Sequence, residues 1–475
     1  MLDRRAVNAD ETSHGGDHPA HAVPGQEHVP PAAAVRAAAK AMDAMVHGGA
    51  TWPHAANIGL GVWLMTGAAM MGTPDAAQRV SDLVSGALVV LLAVLSVSTS
   101  PFWKFWAPWG NSFVGVWLLF APLVFWSGAA EYTNDTLVGT FVIVFAVLAP
   151  GMPGMRMLPG PDAPPCWSYN PSSWPQRAPI IALAAVGFFL SRHMTAFQLE
   201  HITSLPDPFF GSGTERVLTS EVSRAFPIPD AGLGAVAYMV EVLMGFMGDK
   251  ARWRTMPWMV TFFGILVVPL GVVSITLMIL QPVAVGAWCT PCLVAAAAML
   301  VMVALTLDEV VAMGQFLVQA RQEGQPLWEV FWAGGALHST RATPAATVRR
   351  DVISAGALVW GVTLPWNLLV CIAAGIWLMF IPALFESTGT AAHNNHIVGA
   401  LIVTVAAIAL AEVGRATRFV NVLLGLWMIV APWLIEGATT SAMWSDAVTG
   451  ALVVALSLRR GPIRERYGLS ARLIR

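Results

Sequence analysis

Apolar runs about as long as a bilayer is thick recur along this chain, and they restrict it to one kind of fold. A helix needs about 20 predominantly apolar residues to cross the hydrocarbon core. With 56% hydrophobic and only 11% charged residues, the chain has little polar surface to offer water. A polytopic all-α membrane protein is therefore expected. The net charge of −2 names no partner, and no nucleic-acid ligand is expected. The opening MLDRRAVNADETSHGG has no apolar core and is not read as a cleavable secretory signal.

Within these runs a motif repeats. Asn57, Gly61 and Trp63 precede Asp82 and Gly86. Asn111, Gly115, Trp117 and Pro122 precede Asp135 and Gly139. Gly375, Trp377 and Pro382 precede Asn395 and Gly399. Asn421, Gly425, Trp427 and Pro432 precede Asp446 and Gly450. From the tryptophan to the following Asp or Asn the interval is 19, 18, 18 and 19 residues. Each copy reads as two transmembrane helices. The glycines suit close helix approach in lipid, the Asp or Asn is placed to cap a helix start, and the tryptophans suit an interfacial belt. The four copies resemble the SPW-repeat family over roughly 52–150 and 360–458, with Cys371 standing for the Asn of the third copy and Ala68 for the Pro of the first. No ionisable pair recurs in them, so a packing or homo-oligomerisation module is expected.

The block between the repeat pairs has a different pattern. Helices are expected near 179–198, 231–248, 257–280 and 288–314, with a polar loop at 199–230, making about twelve spans: four, four and four. Counting basic residues gives an orientation. With a cytoplasmic N-terminus, 22 of the 26 Lys and Arg fall on the cytoplasmic side. Only Arg79, Arg192, Arg216 and Arg224 fall outside or near an outer helix end.

That orientation puts Trp288-Cys289-Thr290-Pro291-Cys292 at the outer mouth of the last central helix. Cysteines at i and i+3 share one helix face, within reach of a disulfide. Pro291 suits a first helical turn, and a thiol there meets the positive end of the helix dipole. Three readings stand: a redox dithiol, two inert small residues in a packed helix, or half of a zinc site. The last lacks a second Cys or His pair on that side. A redox pair would exchange with an incoming thiol through a mixed disulfide at Cys289, nearer water. It would pass electrons to a membrane quinone from Cys292, one turn deeper. Cys166, in a polar connector, falls on the opposite side.

The loop ahead of the second central helix carries Val217-Leu218-Thr219-Ser220, Phe226, Pro229, Gly234 and Ala237-Tyr238. Together with Cys289 and Cys292, this pattern resembles the vitamin K epoxide reductase family over about 160–315. The resemblance implies a four-helix bundle enclosing a quinone of menaquinone or ubiquinone type. It also implies that Cys292 faces the quinone, Cys289 resolves, and Ser220 helps by hydrogen bonding. Phe226, Asp230, Tyr238 and Trp288 are the expected quinone contacts, Asp230 being read first as a helix cap. Many family members carry two further loop cysteines. Here 199–230 has none, and Thr214 stands just ahead of the VLTS run. An extracytoplasmic thioredoxin-like thiol protein would then have to meet Cys289–Cys292 directly. Segment 207–223 is expected to form a short amphipathic lid helix. Glu241, Asp308 and Glu309 are suspects because charge is costly in lipid. The last two are expected near the cytoplasmic end, where water reaches them.

The expected layout is a flexible cytoplasmic tail (1–50), two repeats (51–152), the central bundle (160–320), a cytoplasmic linker (321–354), two repeats (355–460) and a basic cytoplasmic tail (461–475), in a bacterial inner membrane. His14, His18, His21 and His28 of the first tail have no compact metal-site spacing. The expected activity is a thiol–quinone oxidoreductase forming disulfides in exported proteins. The rival is a non-enzymatic membrane scaffold with a degenerate redox domain. A transporter fits less well, because the repeats lack broken helices and midplane charges.

Overall fold

The computed structural model describes residues 51–70, 73, 75–148, 160–337 and 356–468. The His-bearing tail, residues 338–355 and residues 469–475 lie outside the described residues. So does the side chain of Ala68, one of the two departures from the repeat pattern.

The described residues form helices joined by loops and contain no strand, only isolated bridges. The first repeat pair supplies α1 (Trp52–Met70), α2 (Ala76–Ser96), α3 (Pro101–Val124) and α4 (Ala129–Leu148). The central block supplies α5 (Trp174–Gln198), the short α6 (Gly213–Leu218), α7 (Asp230–Phe246), the single turn α8 (Arg252–Thr255), α9 (Pro257–Leu280), α10 (Thr290–Gln322) and α11 (Leu327–Ala333). The second pair supplies α12 (Trp366–Leu384), α13 (Gly389–Leu410), α14 (Arg418–Leu434) and α15 (Thr440–Ser457). In lipid the backbone has no water to bond, so helices that satisfy their own amides are the expected solution. The chain is an integral membrane protein of the all-α class.

Nine helices among the described residues are long and apolar enough to cross a membrane, or ten if the bent pair Gly213–Ala225 and Asp230–Phe246 is one span. The expected count was twelve. The three long helices outside the nine are α1, α7 and α15, at 19, 17 and 18 residues. Each spends part of its length on a polar residue buried by its neighbours: Asn57, Glu241 and Asp446.

The repeat motif is explained by contacts between helices. In every copy its two glycines face each other, Gly61 with Gly86, Gly115 with Gly139, Gly375 with Gly399 and Gly425 with Gly450. A Cβ on any of them would come within 2.6–2.8 Å of the opposing glycine's carbonyl oxygen. Such backbone contact is how helices associate where burying apolar surface gains nothing.

The tryptophans work between copies. Trp63 donates its indole N–H to Asn134 (2.9 Å) and Trp117 donates to Ser81 (3.0 Å). Trp377 donates to Ser445 (3.1 Å) and Trp427 to Asn394 (2.9 Å). Each acceptor sits one residue before the motif's Asp or Asn in the partner copy, so the two copies of a pair exchange the same bond reciprocally.

One expectation needs correcting here. Asp82, Asp135, Asn395 and Asp446 are not helix caps. Their helices begin at Ala76, Ala129, Gly389 and Thr440, one and a half turns earlier. The four are buried: Asn395 donates to Asp446 across the second pair (3.0 Å), and in the first pair Asp135 accepts from Gln78 (3.3 Å), one turn before Asp82 on α2. Cys371, in the Asn position, is buried with its sulfur 3.6 Å from Ser457 Oγ.

Both pairs pack on the central bundle. From the first, Trp109 lies 4.9 Å from Trp258 of α9, and Arg192 of α5 sits 4.9 Å over the Tyr132 ring. From the second, α13 contacts α9 and α10.

Within α1, Gly61 and Gly59 give a matched test. Gly61→Ala drives a Cβ into Gly86 and should cost about 1–3 kcal/mol by overpacking. Nothing lies within 4 Å of the Cβ of Gly59→Ala. Thermal unfolding of the purified protein should therefore show a lower Tm for the first substitution and no drop for the second.

Candidate active site

The helix that carries the dithiol starts where the chain is forced to turn. After α9 one π-helical turn, Gln281–Val285, ends at Gly286 with φ 66°, a conformation open to glycine. Ala287 and Trp288 then lead to Cys289, the N-cap of α10, with Pro291 in its first turn. Cys289 and Cys292 form a disulfide, their Cα atoms 5.3 Å apart. The Cys289 sulfur also caps the helix, accepting from the Cys292 amide at 3.2 Å. The Cys289 amide is held by Gln281 Oε1 at 3.0 Å.

The loop 199–229 closes over this mouth, and Asp207 fastens it. Its carboxylate accepts from the Thr290 amide (3.0 Å) and the Thr290 hydroxyl. It also accepts from the Thr214 hydroxyl and from the amides of Phe209 (3.0 Å) and Phe210 (2.9 Å). Burial pushes this carboxyl up, but the hydrogen bonds from Thr214, Thr290 and Phe209 outweigh it. Asp207 therefore lies well below the usual carboxylate range. A depressed carboxylate stabilises the folded state fully above its unfolded pKa and loses that contribution only as pH falls through the lower folded value. The fastening therefore persists throughout the neutral and mildly acidic range.

Under the loop, Cys289 is fully buried with Met194, Leu205, Leu218 and Ala231, while Cys292 is partly exposed. This reverses the expectation that Cys289 is the sulfur nearer water. The lid seals it, and the carbonyl of Trp288 lies where a side chain on Gly213 would go. Only Gly213–Leu218 and a 3₁₀ turn at Ser223–Ala225 of the lid are helical.

Cys292 opens into a cavity of about 120 Å³, lined also by Met194, Ser220, Asp230 and Tyr238. Its sulfur lies 3.5 Å from that of Met194. Ser220 donates to the Val217 carbonyl (2.7 Å) and Tyr238 to the Ala295 carbonyl (2.9 Å). Asp230, the first residue of α7, accepts from the Ala231 amide (2.8 Å), from Gln198 (2.6 Å) and from Ser223 (2.7 Å). The cap position itself is Pro229, so Asp230 is not the helix cap expected; it lines the cavity and ties the lid to α5.

Two expected quinone contacts lie elsewhere. Phe226 is 56% exposed and lines a separate surface cleft with Trp126 and Phe197. Trp288 faces a groove on the far side of α10. Trp288 precedes the helix that Cys289 caps, and Phe226 lies in the loop past the lid's 3₁₀ turn, so neither is oriented by a helix face shared with the cysteines. Sequence reasoning missed Asp207, Gln281 and Gln198. An Asp placed two and three residues before the amides it accepts is an Asx-turn signature, but its link to Thr290 spans 83 residues.

At the opposite end of the bundle lie Asp308 and Glu309, 1% and 3% exposed, so water does not reach them. Arg252 grips Glu309 through two nitrogens (2.6 and 2.7 Å), Ser172 donates to Glu309, and Tyr169 donates to Asp308. The segment around Tyr169, folded back over the helix ends, keeps solvent out. Glu241 is fully buried, with no hydrogen-bond partner for either oxygen. Among the described residues no group of three or more His, Cys, Asp or Glu is placed to hold a metal ion.

Residues 178–307 match the vitamin K epoxide reductase family, and residues 51–149 and 365–460 match the SPW repeat domain. Comparison with curated proteins and comparison with solved structures each give no match.

Replacing Asp207 with Asn sets an amide N–H against donors. It should release the lid by about 1.5–3 kcal/mol, the range for hydrogen bonds to a charged group. Hydrogen exchange of amides in 199–229 should accelerate roughly 10- to 100-fold at neutral pH, with exchange in α1–α4 unchanged.

Proposed function

With a vitamin K epoxide reductase family domain between SPW repeat domains as the premise, we propose that this membrane thiol–disulfide oxidoreductase oxidises dithiols of exported proteins. A quinone dissolved in the bilayer would be the final acceptor. The observation that carries this reading is the disulfide at the start of α10, with Cys292 opening into an otherwise mainly apolar cavity. The orientation that places this mouth outside the cytoplasm rests on the distribution of Lys and Arg.

An incoming thiolate attacks Cys289, forms a mixed disulfide and releases Cys292 as thiolate. The substrate's second thiol then attacks its own sulfur of the mixed disulfide, leaving as a disulfide, and Cys289 and Cys292 stay reduced. Two electrons and two protons have entered the site. The positive end of α10 favours a thiolate at its first turn, which suits Cys292 to return the pair's electrons to an acceptor in its cavity. A quinone bound there would take up two electrons and two protons, and the disulfide would re-form. Ser220 and Tyr238 line that cavity, and their hydroxyls, now donated to the Val217 and Ala295 carbonyls, would have to turn inward to donate to the quinone's carbonyls; Asp230, an acceptor, holds the wall. The volume is below the 300–1,000 Å³ of most ligand pockets, so lid movement would accompany entry.

The same lid must lift for a substrate thiol to reach Cys289. With no cysteine in 199–230, no relay through the loop is available and the partner must engage the pair directly. The sealed position of Cys289 also favours one rival, a scaffold in which the disulfide never cycles. Trapping free thiols in intact cells separates the two, because a permanent disulfide would leave Cys289 and Cys292 unlabelled under every condition.

Cys292→Ser should lower quinone-dependent oxidation of a dithiol peptide by roughly 100-fold or more, the scale of removing a covalent catalyst. Offered the oxidised (disulfide) form of the peptide, the variant should instead trap it, the Cys289 thiolate displacing one peptide thiol and staying linked as a mixed disulfide on a non-reducing gel because Cys292 is no longer there to resolve it. Turnover near that of the parent protein would refute the assignment.

A further inference from the structure

On the other side of the CxxC turn lies a larger space. A groove of about 670 Å³ runs between α9–α10 and the second repeat pair. Phe210 of the lid, Trp288, Leu293, Met379, Phe380 and His396 line it. Trp288 and Leu293 directly bracket the disulfide in sequence. The Trp288 ring lies 6.4 Å from Phe210 and meets His396 edge-on at 5.8 Å. The groove therefore has aromatic walls at the lid end and aliphatic ones along the helices.

His396 is its one titratable group. The Nδ1 atom is buried without a hydrogen-bond partner, leaving Nε2 as the nitrogen that a groove occupant can reach. An unpaired acceptor is less costly in apolar surroundings than an unpaired N–H, so the ring proton belongs on Nε2, as a donor. The residue after the motif's Asp or Asn is Leu83, Thr136 and Ala447 in the other three copies. The imidazole occurs in the one copy whose helix, α13, packs against α10.

We propose that this groove is a second quinone site, in which the repeat pair receives the ring of an isoprenoid quinone before or after its visit to the Cys292 cavity. A flat ring fits among three aromatic side chains, a carbonyl accepts from His396 Nε2, and the isoprenoid tail follows the aliphatic walls toward the bilayer. A phospholipid acyl chain would use the same walls but would have no use for a donor. The volume is that of a ligand pocket, unlike the cavity at Cys292. The inference rests on the thiol–quinone reading above and gives the SPW helices a part in it.

Photolabelling of the full-length protein in phosphatidylcholine nanodiscs with an azido-benzoquinone carrying a decyl tail tests this without turnover. Label should fall on peptides containing residues 376–403. It should drop roughly tenfold in His396→Ala, which removes the donor and one wall, and in Met379→Trp, which fills the groove. Unaltered chromatographic behaviour would show that both variants fold. Label confined to peptides of α5 and α7, or unchanged in both variants, would overturn the proposal, as would a co-purified phospholipid that excludes the probe. Loss of quinone-dependent turnover with the groove labelled as expected would count against the oxidoreductase reading and leave the site standing.

Discussion

Polar groups inside a bilayer have only the protein to bond with, and this constraint organises the molecule from end to end. The backbone meets it with helices. The indoles of the repeats meet it by exchanging bonds between copies, Trp63 with Asn134 and Trp117 with Ser81. The start of α10 cannot meet it alone, because the first amides of a helix have no partner within it. Asp207 and the Cys289 sulfur serve as those partners. The fastening of the lid is thus the same event as the capping of α10, and a motion that exposes the disulfide must also strip donors from Asp207.

The sequence spelled out the parts of the fold set by spacing. Two glycines per copy at a constant offset from a tryptophan indicate close helix packing, and the structure places each pair face to face. The same spacing misled where position along a helix mattered. Asp82 and Asp446 resemble caps because they precede a small-residue stretch, yet α2 and α15 begin earlier, at Asp75 and Thr439, whose side chains accept from the amides of Ala77 and Ala442. The true cap signals are thus present in the sequence, overshadowed by the more regular spacing. At the site, the two cysteines were legible from a local pattern; Ser220, Asp230 and Tyr238, expected from the resemblance as a helper and quinone contacts, line the cavity at Cys292. The burial of Cys289 was not, because it comes from residues 205–218 folding over a helix 70 to 85 residues later. Asp207 was invisible for the same reason. Its partners are fixed by tertiary approach and leave no periodicity in the sequence.

The two ends of the central bundle are built differently. At the disulfide end one depressed carboxylate, two threonines and a set of apolar contacts make a closure that can be undone. At the other end Arg252 and Glu309 form a bidentate pair, Arg177 donates to the carbonyls of Ser172 and Gly248, and Tyr169 covers Asp308. Breaking such a buried pair leaves an uncompensated charge and is strongly unfavourable. The end that carries the disulfide is thus the more easily opened of the two.

That second end has a consequence for how the protein is made. Glu412 accepts from the amides of Arg464 and Glu465 and from the Tyr467 hydroxyl, and Ser168 donates to Glu465. The stretch 461–468 is synthesised after every one of the fifteen helices, yet it lies against the segment that introduces the first helix of the central block. A nascent chain that has already threaded all its spans through the bilayer still holds Glu412 without these donors. This end of the bundle is thus completed only after residues 461–468 have been made, later than every helix they seal.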